Sequence, residues 1–424
     1  MSFIADLHLH SHYSRATSRD LTPENLHKWS ALKGIDLVGT ADFTHPEWLA
    51  QIKAKLEPAA EGVFRLKQPL ARPVDAVIYP SCRRDVRFLL TVEINCIYKK
   101  NGRTRKVHNI VSLPDFSSVD ALNRRLATIG NLKSDGRPIL KLDSRDLLEI
   151  CLEVCADVLF IPAHIWTPHF AVLGSKSGFD SMEECFEDLL PHIYAVETGL
   201  SSDPAMHSRV SALDRFTLVS NSDAHSPQKL GREATCFDTE QSFPGILAAL
   251  RHPHATSRFT STIEFYPEEG KYHHDGHRKC GICWKPAQTM AADGLCPECG
   301  RPLTVGVLHR IEALADRSVE EAMTTPPRRF EHLVPLPELI SDVVGVGPSS
   351  KRVQTIYHAL LAELGAELPI LREIEPDEIE RRGAQPLVAE AVRRMRAGEV
   401  RIDPGFDGEY GHVHFFSEEE LASR

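Results

Sequence analysis

The sequence lacks three features that would place it in a membrane, in an export pathway or among proteins that coat nucleic acid by charge. No stretch approaches the roughly 18 uninterrupted apolar residues of a membrane-spanning helix, so we expect no membrane partner. The first residues contain no basic segment followed by an apolar one, so we expect no signal peptide and a cytoplasmic location. The formal net charge of −10 excludes binding to nucleic acid through overall charge, but it allows a local basic groove.

What the chain does contain is the composition of a globular protein. It has 424 residues, of which 42% are hydrophobic and 25% are charged, and this length suggests two or three domains. Four of its 10 cysteines lie within one short stretch, which in a reducing compartment indicates metal binding and not disulfides. The placement of its 21 histidines is the most informative feature.

Residues 1–265 predict an α/β fold, because short apolar strands alternate with helices. Phe3 to Leu7 forms a strand, Thr22 caps a helix that starts at Pro23, and Gly34 ends that helix. The pattern recurs along this region, so we expect a parallel sheet or a closed barrel. Acidic residues and histidines follow several strands directly, which is where α/β barrels build their active sites.

A set of metal-ligand residue types follows these strands. His8 and His10 share one face of an extended segment, and Asp6 is placed to orient an imidazole. Imidazole and carboxylate ligands together suit zinc or manganese, and two ions about 4 Å apart can clamp a phosphoester. Histidines scattered on an α/β scaffold would not explain the shared order and strand-end position. The candidate ligands are His8, His10, Asp42, His45, Glu93, His108, His164, Asp223 and His225.

In this order, these residues resemble the PHP (polymerase and histidinol phosphatase) domain over about 225 residues. The resemblance implies a distorted barrel of roughly seven strands that hydrolyses phosphoesters with two or three metal ions. It implies Asp223, Glu93 and His225 as catalytic residues. The chain reads Ala41-Asp42-Phe43 where many relatives have Thr-Asp-His, so a third ion would use Asp42 or His45, or its site is empty. The implied ligand sets are His8, His10, Glu93 and Asp223 for one ion, His108 and His164 with bridging Glu93 for the second, and His225 for the third.

Two cysteine pairs predict a separate metal site. Cys280-Gly-Ile-Cys283 is followed after 12 residues by Cys296-Pro-Glu-Cys299. Two matched pairs of this kind hold one tetrahedral zinc ion with no open coordination position, so the site is structural. A redox pair or free thiols would not need two matched pairs.

Two segments are candidates for contact with a phosphate backbone. A basic hairpin contains Lys99, Lys100, Arg103, Arg105 and Lys106, although a solvated loop explains the same charges. A second segment resembles the helix-hairpin-helix motif, in which backbone N–H groups bind a phosphate, although a plain turn between two helices is the alternative. Its candidate residues are Gly345, Gly347, Lys351 and Arg352.

The order of a PHP barrel (1–265), a four-cysteine zinc module (271–305) and a helical domain (309–424) resembles the endonuclease Q family along the whole chain. That resemblance implies a DNA repair endonuclease that nicks 5′ to uracil, hypoxanthine, xanthine or an abasic site, leaving a 3′-hydroxyl and a 5′-phosphate. It implies Zn²⁺, Mn²⁺ or Mg²⁺ in the PHP site, one structural Zn²⁺, damaged DNA as partner at the nucleoid, and a sliding clamp as a further candidate partner. The residues alone leave two alternatives, a PHP phosphatase acting on a small phosphomonoester and a non-catalytic DNA-binding adaptor. Aromatic candidates for a base pocket are Tyr13, Phe43, Trp48, Trp166 and Phe170.

Overall fold

The computed structural model describes residues 2–252, 259–324, 328–383 and 385–422. No helix in these ranges is long and apolar enough to cross a membrane. The strands are β1 Ser2–Asp6, β2 Leu37–Gly39, β3 Leu56–Ala60, β4 Val63–Leu66, β5 Arg87–Lys100, β6 Arg103–Leu113, β7 Ile139–Leu140, β8 Leu159–Pro162, β9 Ala195–Glu197, β10 Thr217–Val219, β11 Ala234–Asp238, β12 Phe259–Glu264, β13 Asp275–His277, β14 Ile282–Trp284, β15 Phe330–His332, β16 Arg401–Asp403 and β17 His412–His414.

The α-helices alternate with the strands in the first part of the chain and dominate the last part. They are α1 Pro23–Lys33, α2 Pro46–Lys55, α3 Gln68–Asp75, α4 Phe116–Leu126, α5 Ser144–Val154, α6 Met182–Phe186, α7 Pro204–His207, α8 Phe243–Arg251, α9 Pro286–Ala291, α10 Val307–Leu314, α11 Val319–Thr324, α12 Leu336–Val344, α13 Lys351–Leu364, α14 Glu367–Arg372, α15 Pro376–Arg381, α16 Pro386–Ala397 and α17 Glu418–Ala422.

The first βα unit forms as its local sequence predicts. The Thr22 side chain accepts a hydrogen bond from the N–H of Asn25, and Pro23 occupies the first turn of α1. Gly34 ends the helix with φ = 95°, a left-handed conformation that glycine adopts without steric cost.

Seven strands of the α/β part position the candidate site: β1, β2, β5, β6 and β8 belong to the 11-stranded sheet, whereas β9 and β10 form a separate two-stranded sheet. β1 pairs in parallel with β2, and β2 with β5. β5 and β6 form a long antiparallel hairpin, and β6 also pairs with β8. β9 and β10 are parallel, and a bridge between Leu9 and Ala224 links the chain after β10 to the chain after β1. The predicted α/β class is therefore confirmed, and the ends of β1, β8 and β10 meet on one side.

The later parts of the chain pack against this α/β part. β15 adds in parallel to β12, and one cluster of buried apolar side chains extends from Leu9 to Phe416. The ammonium of Lys33 lies 2.6 Å from the Glu367 carboxylate, with both side chains 3% exposed. The β13–β14 hairpin and α9 form the cysteine-containing region, and the helical region follows as expected. The division into domains 1–265, 271–305 and 309–424 stays a prediction.

Candidate metal centre

Six of the nine predicted ligands meet at one end of these seven strands. His8 and His10 follow β1, His164 follows β8 and Asp223 follows β10, while Glu93 projects from β5. Two of these residues have left-handed backbone, with φ = 30° at His164 and 46° at Asp223. Non-glycine residues adopt this conformation at a cost that the surrounding structure must offset, and such strain concentrates at functional sites. At His164 and Asp223 this left-handed conformation follows the end of a strand and places each side chain among the other ligands.

One ligand group consists of His8, His10 and Asp223, whose ligand atoms lie within 4.8 Å of one another. Asp223 Oδ1 is 2.9 Å from His10 Nε2 and 3.7 Å from His8 Nε2. His8 Nε2 is buried and has no hydrogen-bond partner. A buried nitrogen without a partner is costly, and a cation between these three side chains would satisfy it.

A second group consists of Glu93, His108 and His164. Glu93 Oε1 lies 2.5 Å from His108 Nδ1 and 3.2 Å from His164 Nε2. Glu93 Oε1 also lies 3.5 Å from His8 Nε2, and Glu93 Oε2 lies 3.6 Å from His10 Nε2. Glu93 therefore stands between the two groups, in the position of a bridging ligand.

The carboxylates surround the imidazoles of the first group with negative charge, which also attracts a metal cation. Burial by itself lowers the pKa of His10, but hydrogen bonds to Asp223 and Asp42 outweigh it and raise this pKa to about 9. Burial also opposes ionisation of Glu93, but His108 and His8 lower the pKa of this carboxyl well below its usual range. Burial lowers the pKa of His108 to about 4, so that imidazole is neutral and able to bind a metal. The centre combines ionised carboxylates with imidazoles in a dry site, which is the donor set of a zinc or manganese centre.

Glu197, at the end of β9, orients two ligands and was not among the predicted site residues. Both of its carboxylate oxygens lie 3.0 Å from His8 Nδ1, and it accepts the backbone N–H of His164 at 2.8 Å. The prediction that Asp6 orients an imidazole is wrong, because Asp6 accepts the backbone N–H groups of Ser222 and Gly231. A signal for Glu197 exists in the sequence, since it follows an apolar strand as the ligands do.

The residues predicted for a third ion are not brought together as a ligand group within the described ranges. Asp42 Oδ2 accepts three hydrogen bonds, from the N–H and hydroxyl of Ser11 and the hydroxyl of Ser14, at 2.6–2.8 Å. The His45 ring stacks on Tyr13 at 4.2 Å, and the His225 ring lies 4.6 Å from that of His10. Asp42 is thus engaged by serine donors beside His10, and His45 faces an aromatic ring.

Two arginines that the sequence did not single out flank the centre. Arg137 Nη1 lies 3.1 Å from Glu93 Oε2, and its side chain is 24% exposed. A Cβ atom at Gly136 would lie 2.2 Å from the Asp42 carboxylate, so only glycine lets this loop pack so closely. On the other side, Arg232 donates to the carbonyl oxygens of Ser222 at 2.8 Å and Asp223 at 3.3 Å. Both arginines lie in loops without a pattern that would predict these contacts.

Solved structures match this architecture along its length. The crystal structure of the lesion-specific endonuclease PfuEndoQ from Pyrococcus furiosus superimposes with a TM-score of 0.84 at 29% identity, over 100% of this chain and 99% of that chain. Endonuclease Q in complex with a 27-mer duplex that carries an abasic lesion at the active site superimposes with a TM-score of 0.83 at 30% identity, over 99% and 98% of the two chains. This chain belongs to the endonuclease Q family.

Sequence relatives agree with this membership. Residues 335–399 match the family described as the MJ0043 C-terminal domain. The uncharacterized protein YqxK of Bacillus subtilis (strain 168) is 29% identical over 426 residues, covering 96% of this chain and 98% of that protein. The uncharacterized protein MJ0043 of Methanocaldococcus jannaschii is 34% identical over 246 residues, which is 56% of this chain but only 30% of that protein.

The cysteine module of this endonuclease Q family member differs from its predicted ligand set. The ligand atoms that lie within 4.8 Å of one another belong to His277, Cys280, Cys296 and Cys299. Cys283 is the exception, with its Sγ 3.5 Å from His274 Nδ1. The reason is the register of the β13–β14 hairpin, which pairs Gly276 with Cys283 and His277 with Ile282, so that His277 and Cys283 point to opposite faces.

The basic hairpin is divided between two faces. On one face, Lys100 pairs with Glu187 at 2.7 Å, and the guanidinium of Arg105 stacks on Phe179 at 4.0 Å. These two cations, with Arg103, lie on the face opposite Glu93, because side chains alternate along β5 and β6. Lys99 and Lys106 share the face of Glu93 and His108. Only these two of the five predicted cations therefore project on the side of the metal centre.

The structure also shows the positions of the candidate helix-hairpin-helix segment and of the aromatic candidates for a base pocket. α12 ends at Gly345 with φ = 69°, and α13 begins after Ser350, so a helical hairpin forms where the sequence indicates one. Gly345, Gly347, Lys351 and Arg352 are exposed on it. Among the aromatic candidates, Phe43, Trp48 and Trp166 are buried core residues, whereas Tyr13 and Phe170 are partly exposed.

Proposed function

We propose that this chain is a metal-dependent DNA repair endonuclease that hydrolyses the phosphodiester 5′ to a deaminated base (uracil, hypoxanthine or xanthine) or an abasic site, leaving a 3′-hydroxyl and a 5′-phosphate. The observation that carries the proposal is the shared carboxylate of Glu93 between two ligand groups, in a chain whose full-length relative was crystallised with an abasic duplex. We take the seven strands as a distorted PHP barrel. A sliding clamp as partner and a nucleoid location stay predictions.

The residues fit divalent ions. His8, His10 and Asp223 would hold one ion, His108 and His164 a second, and Glu93 both. Zn²⁺, Mn²⁺ and Mg²⁺ are the candidates, and two such ions would stabilise the attacking and leaving oxygens of a phosphodiester and activate water near neutral pH. A third ion would depend on His225 with Asp42 or His45.

The surrounding side chains support this chemistry. Glu197 holds His8 Nδ1 and so directs Nε2 to the centre. The partly exposed guanidinium of Arg137 can bind a non-bridging phosphate oxygen. His225 Nδ1 lies 2.9 Å from the carbonyl oxygen of Asp223, which leaves Nε2 free. Burial lowers the pKa of His225, which favours the neutral imidazole. Where no third ion is bound, Nε2 of His225 can accept a proton from the attacking water.

The remaining parts of the chain support binding to DNA. One structural Zn²⁺ would be held by His277 with Cys280, Cys296 and Cys299. The backbone N–H groups of Cys299 and Glu298 outweigh the effect of desolvation and lower the pKa of Cys296 to about 7, which favours the thiolate that zinc binds. Phosphate contacts are assigned to Lys99, Lys106 and the helical hairpin at residues 345–352.

The test is a nicking assay on duplexes that carry one uracil, hypoxanthine or abasic site, with Mg²⁺ or Mn²⁺. We expect a nick immediately 5′ to the lesion, lost in Asp223→Asn and retained in the exposed control Asp377→Asn. Equal cutting of undamaged DNA would remove the repair function. Hydrolysis of a small phosphomonoester without nicking would favour the phosphatase, and a protein that holds zinc only in the cysteine module would favour the adaptor.

A further inference from the structure

A series of hydrogen bonds connects the second ligand group of the metal centre with the cysteine module. Its first part is the loop of residues 164–180, here called the His164 loop, which follows β8. The Thr167 hydroxyl lies 3.1 Å from His164 Nδ1. The carbonyl oxygen of Phe170 accepts the N–H of His108 at 2.9 Å, and the two rings lie 4.8 Å apart. Both imidazoles of the second group are therefore positioned by contacts with this loop.

The His164 loop has a backbone conformation that requires support from its surroundings. His164 has φ = 30° and Phe170 has φ = 63°, and the left-handed region is unfavourable for both side chains. A Cβ atom at Gly174 would lie 2.3 Å from the carbonyl oxygen of Thr167, so the loop folds back closely on itself. A loop under such strain keeps its shape only where contacts with the rest of the molecule offset the cost.

Arg310, on α10, supplies such contacts from outside the loop. Its Nε donates to the carbonyl oxygen of Leu173 at 2.8 Å, and its Nη2 donates to the carbonyl oxygen of Phe179 and to the Asp180 carboxylate, each at 2.7 Å. The Arg310 side chain is 15% exposed, so water competes little for these hydrogen bonds. The loop is therefore held by the segment that follows the cysteine module.

The same helix is joined to the cysteine module at its first turn. Asp275 is buried, and its carboxylate accepts the N–H of Gly306 at 2.7 Å and lies 2.6 Å from His309 Nδ1. Asp275 and the candidate zinc ligand His277 occupy alternate positions of β13, so they share one face of that strand. An ion that orders β13 would therefore also fix the start of α10 and the position of Arg310, which follows His309.

We propose that Arg310 is a positioning residue through which the cysteine module holds the second ligand group of the metal centre in place. The proposal rests on the proposed function, because it requires that both ligand groups bind ions. The first group is held by other elements, since His8 and His10 follow β1 and Asp223 follows β10. A change at Arg310 should therefore weaken binding of the second ion more than binding of the first.

The experiment measures Mn²⁺ binding by the full-length protein with zinc in its cysteine module. We expect Arg310→Gln to weaken binding of the second Mn²⁺ ion about tenfold and binding of the first by less than about twofold. Isothermal titration calorimetry gives both affinities. Electron paramagnetic resonance adds a spectroscopic signature, because two Mn²⁺ ions that share a bridging carboxylate are exchange-coupled and a single ion is not.

Arg209→Gln is the matched control. Arg209 also contacts α10, since its side chain donates to Glu312 at 3.0 Å and to the carbonyl oxygen of Arg317 at 2.7 Å. Its loss loosens the same helix without removing the hydrogen bonds to the His164 loop, so we expect both Mn²⁺ affinities to stay within about twofold of wild type.

The connection to the cysteine module is tested by a double-mutant cycle. We expect Asp275→Ala to retain its zinc, as checked by elemental analysis, and to weaken binding of the second Mn²⁺ ion about fivefold. Combined with Arg310→Gln it should add little, because both residues belong to one series of contacts. Additive losses in the double variant would show that Arg310 acts without the module and would overturn the proposal.

The remaining outcomes separate this proposal from the proposed function. Unchanged second-ion affinity in Arg310→Gln would overturn the proposal, and so would equal losses of both ions, which indicate a general loss of structure. Equal urea midpoints for wild type and Arg310→Gln would exclude misfolding as the cause of a selective loss. A wild type that binds both ions but does not nick a lesion duplex would overturn the proposed function alone, and one that binds a single Mn²⁺ ion would overturn both.

Discussion

Residues that hydrogen-bond to the candidate ligands should affect metal affinity as well as the ligands themselves do. Glu197 contacts His8 and the backbone of His164, which belong to different ligand groups. We expect Glu197→Gln to lower metal affinity about 10- to 100-fold, because Nδ1 of His8 loses its charged acceptor. Isothermal titration calorimetry with the divalent metal measures this loss of affinity. Glu149→Gln removes an exposed carboxylate and serves as control; equal affinity in both variants would contradict the orienting role.

The zinc module allows an equally direct test with single residues. Because His277 and Cys283 lie on opposite faces of one hairpin, we propose that only His277 joins the other three cysteines in holding the ion. We expect Cys283→Ser to retain one equivalent of zinc in the module and His277→Ala to lose it, as measured by elemental analysis after exhaustive dialysis. If Cys283→Ser loses the zinc and His277→Ala keeps it, the four-cysteine set predicted from the spacing is correct.

At the scale of elements, the β5–β6 hairpin shows how alternation divides one basic segment into two roles. Lys106 lies on the face of Glu93, with its ammonium 5.2 Å from the centroid of Phe170, while Arg103 lies on the opposite face. We expect Lys106→Ala to weaken DNA binding and to reduce the slope of log K against log salt by about 1. Arg103→Ala is the matched control, and an equal reduction in both variants would mean that the hairpin binds DNA without regard to face.

The buried ion pair between α1 and α14 joins two other elements. Lys33 and Glu367 are both buried, and Tyr357 also donates to Glu367 at 2.8 Å. Lys33→Ala leaves a buried carboxylate without its cation, so we expect a loss of about 3–5 kcal/mol in the free energy of unfolding. Lys53→Ala breaks an exposed pair with Asp120 and should cost under about 1 kcal/mol. Similar urea midpoints for the two variants would contradict this difference.

At the scale of the whole molecule, stability should depend on a pair of buried acids away from the metal ligands. Burial raises the pKa of Glu264 from 4.5 to about 8, although Thr198 and Ser220 donate hydrogen bonds to it. Burial and the neighbouring Glu264 also raise the pKa of Glu233 well above its usual range. Between pH 4.5 and 8 the folded protein binds more protons than the unfolded chain, so this contribution to stability falls as pH rises.

Replacing the acid by its amide isolates this effect. We expect Glu264→Gln to gain stability relative to wild type as pH rises from 5 to 8.5, because the amide has no proton to lose. Urea unfolding of both proteins at these pH values, with metal present at saturation, measures the difference. A difference that stays constant with pH would show that Glu264 is not the titrating group.

The order and type of residues in the sequence determined much of the fold and of the centre. The periodicity of strands and helices, the capping of α1 and the turn between α12 and α13 are local, so they can be recognised without tertiary contacts. The ligands at the strand ends could also be predicted, because α/β folds build their sites where the strands end.

Only the tertiary structure showed which other side chains contact and orient those ligands. Glu197 lies 189 residues from His8, Arg137 lies 44 residues from Glu93, and each contact depends on how a loop or a distant strand packs. Strand register places His277, and not Cys283, near the other three cysteines, and it divides the basic hairpin between two faces. A shift of one residue would reverse both arrangements. The sequence by itself therefore determined the chemistry of the centre, while long-range packing decided its geometry, because alternation and spacing describe neighbours along the chain and not partners across it.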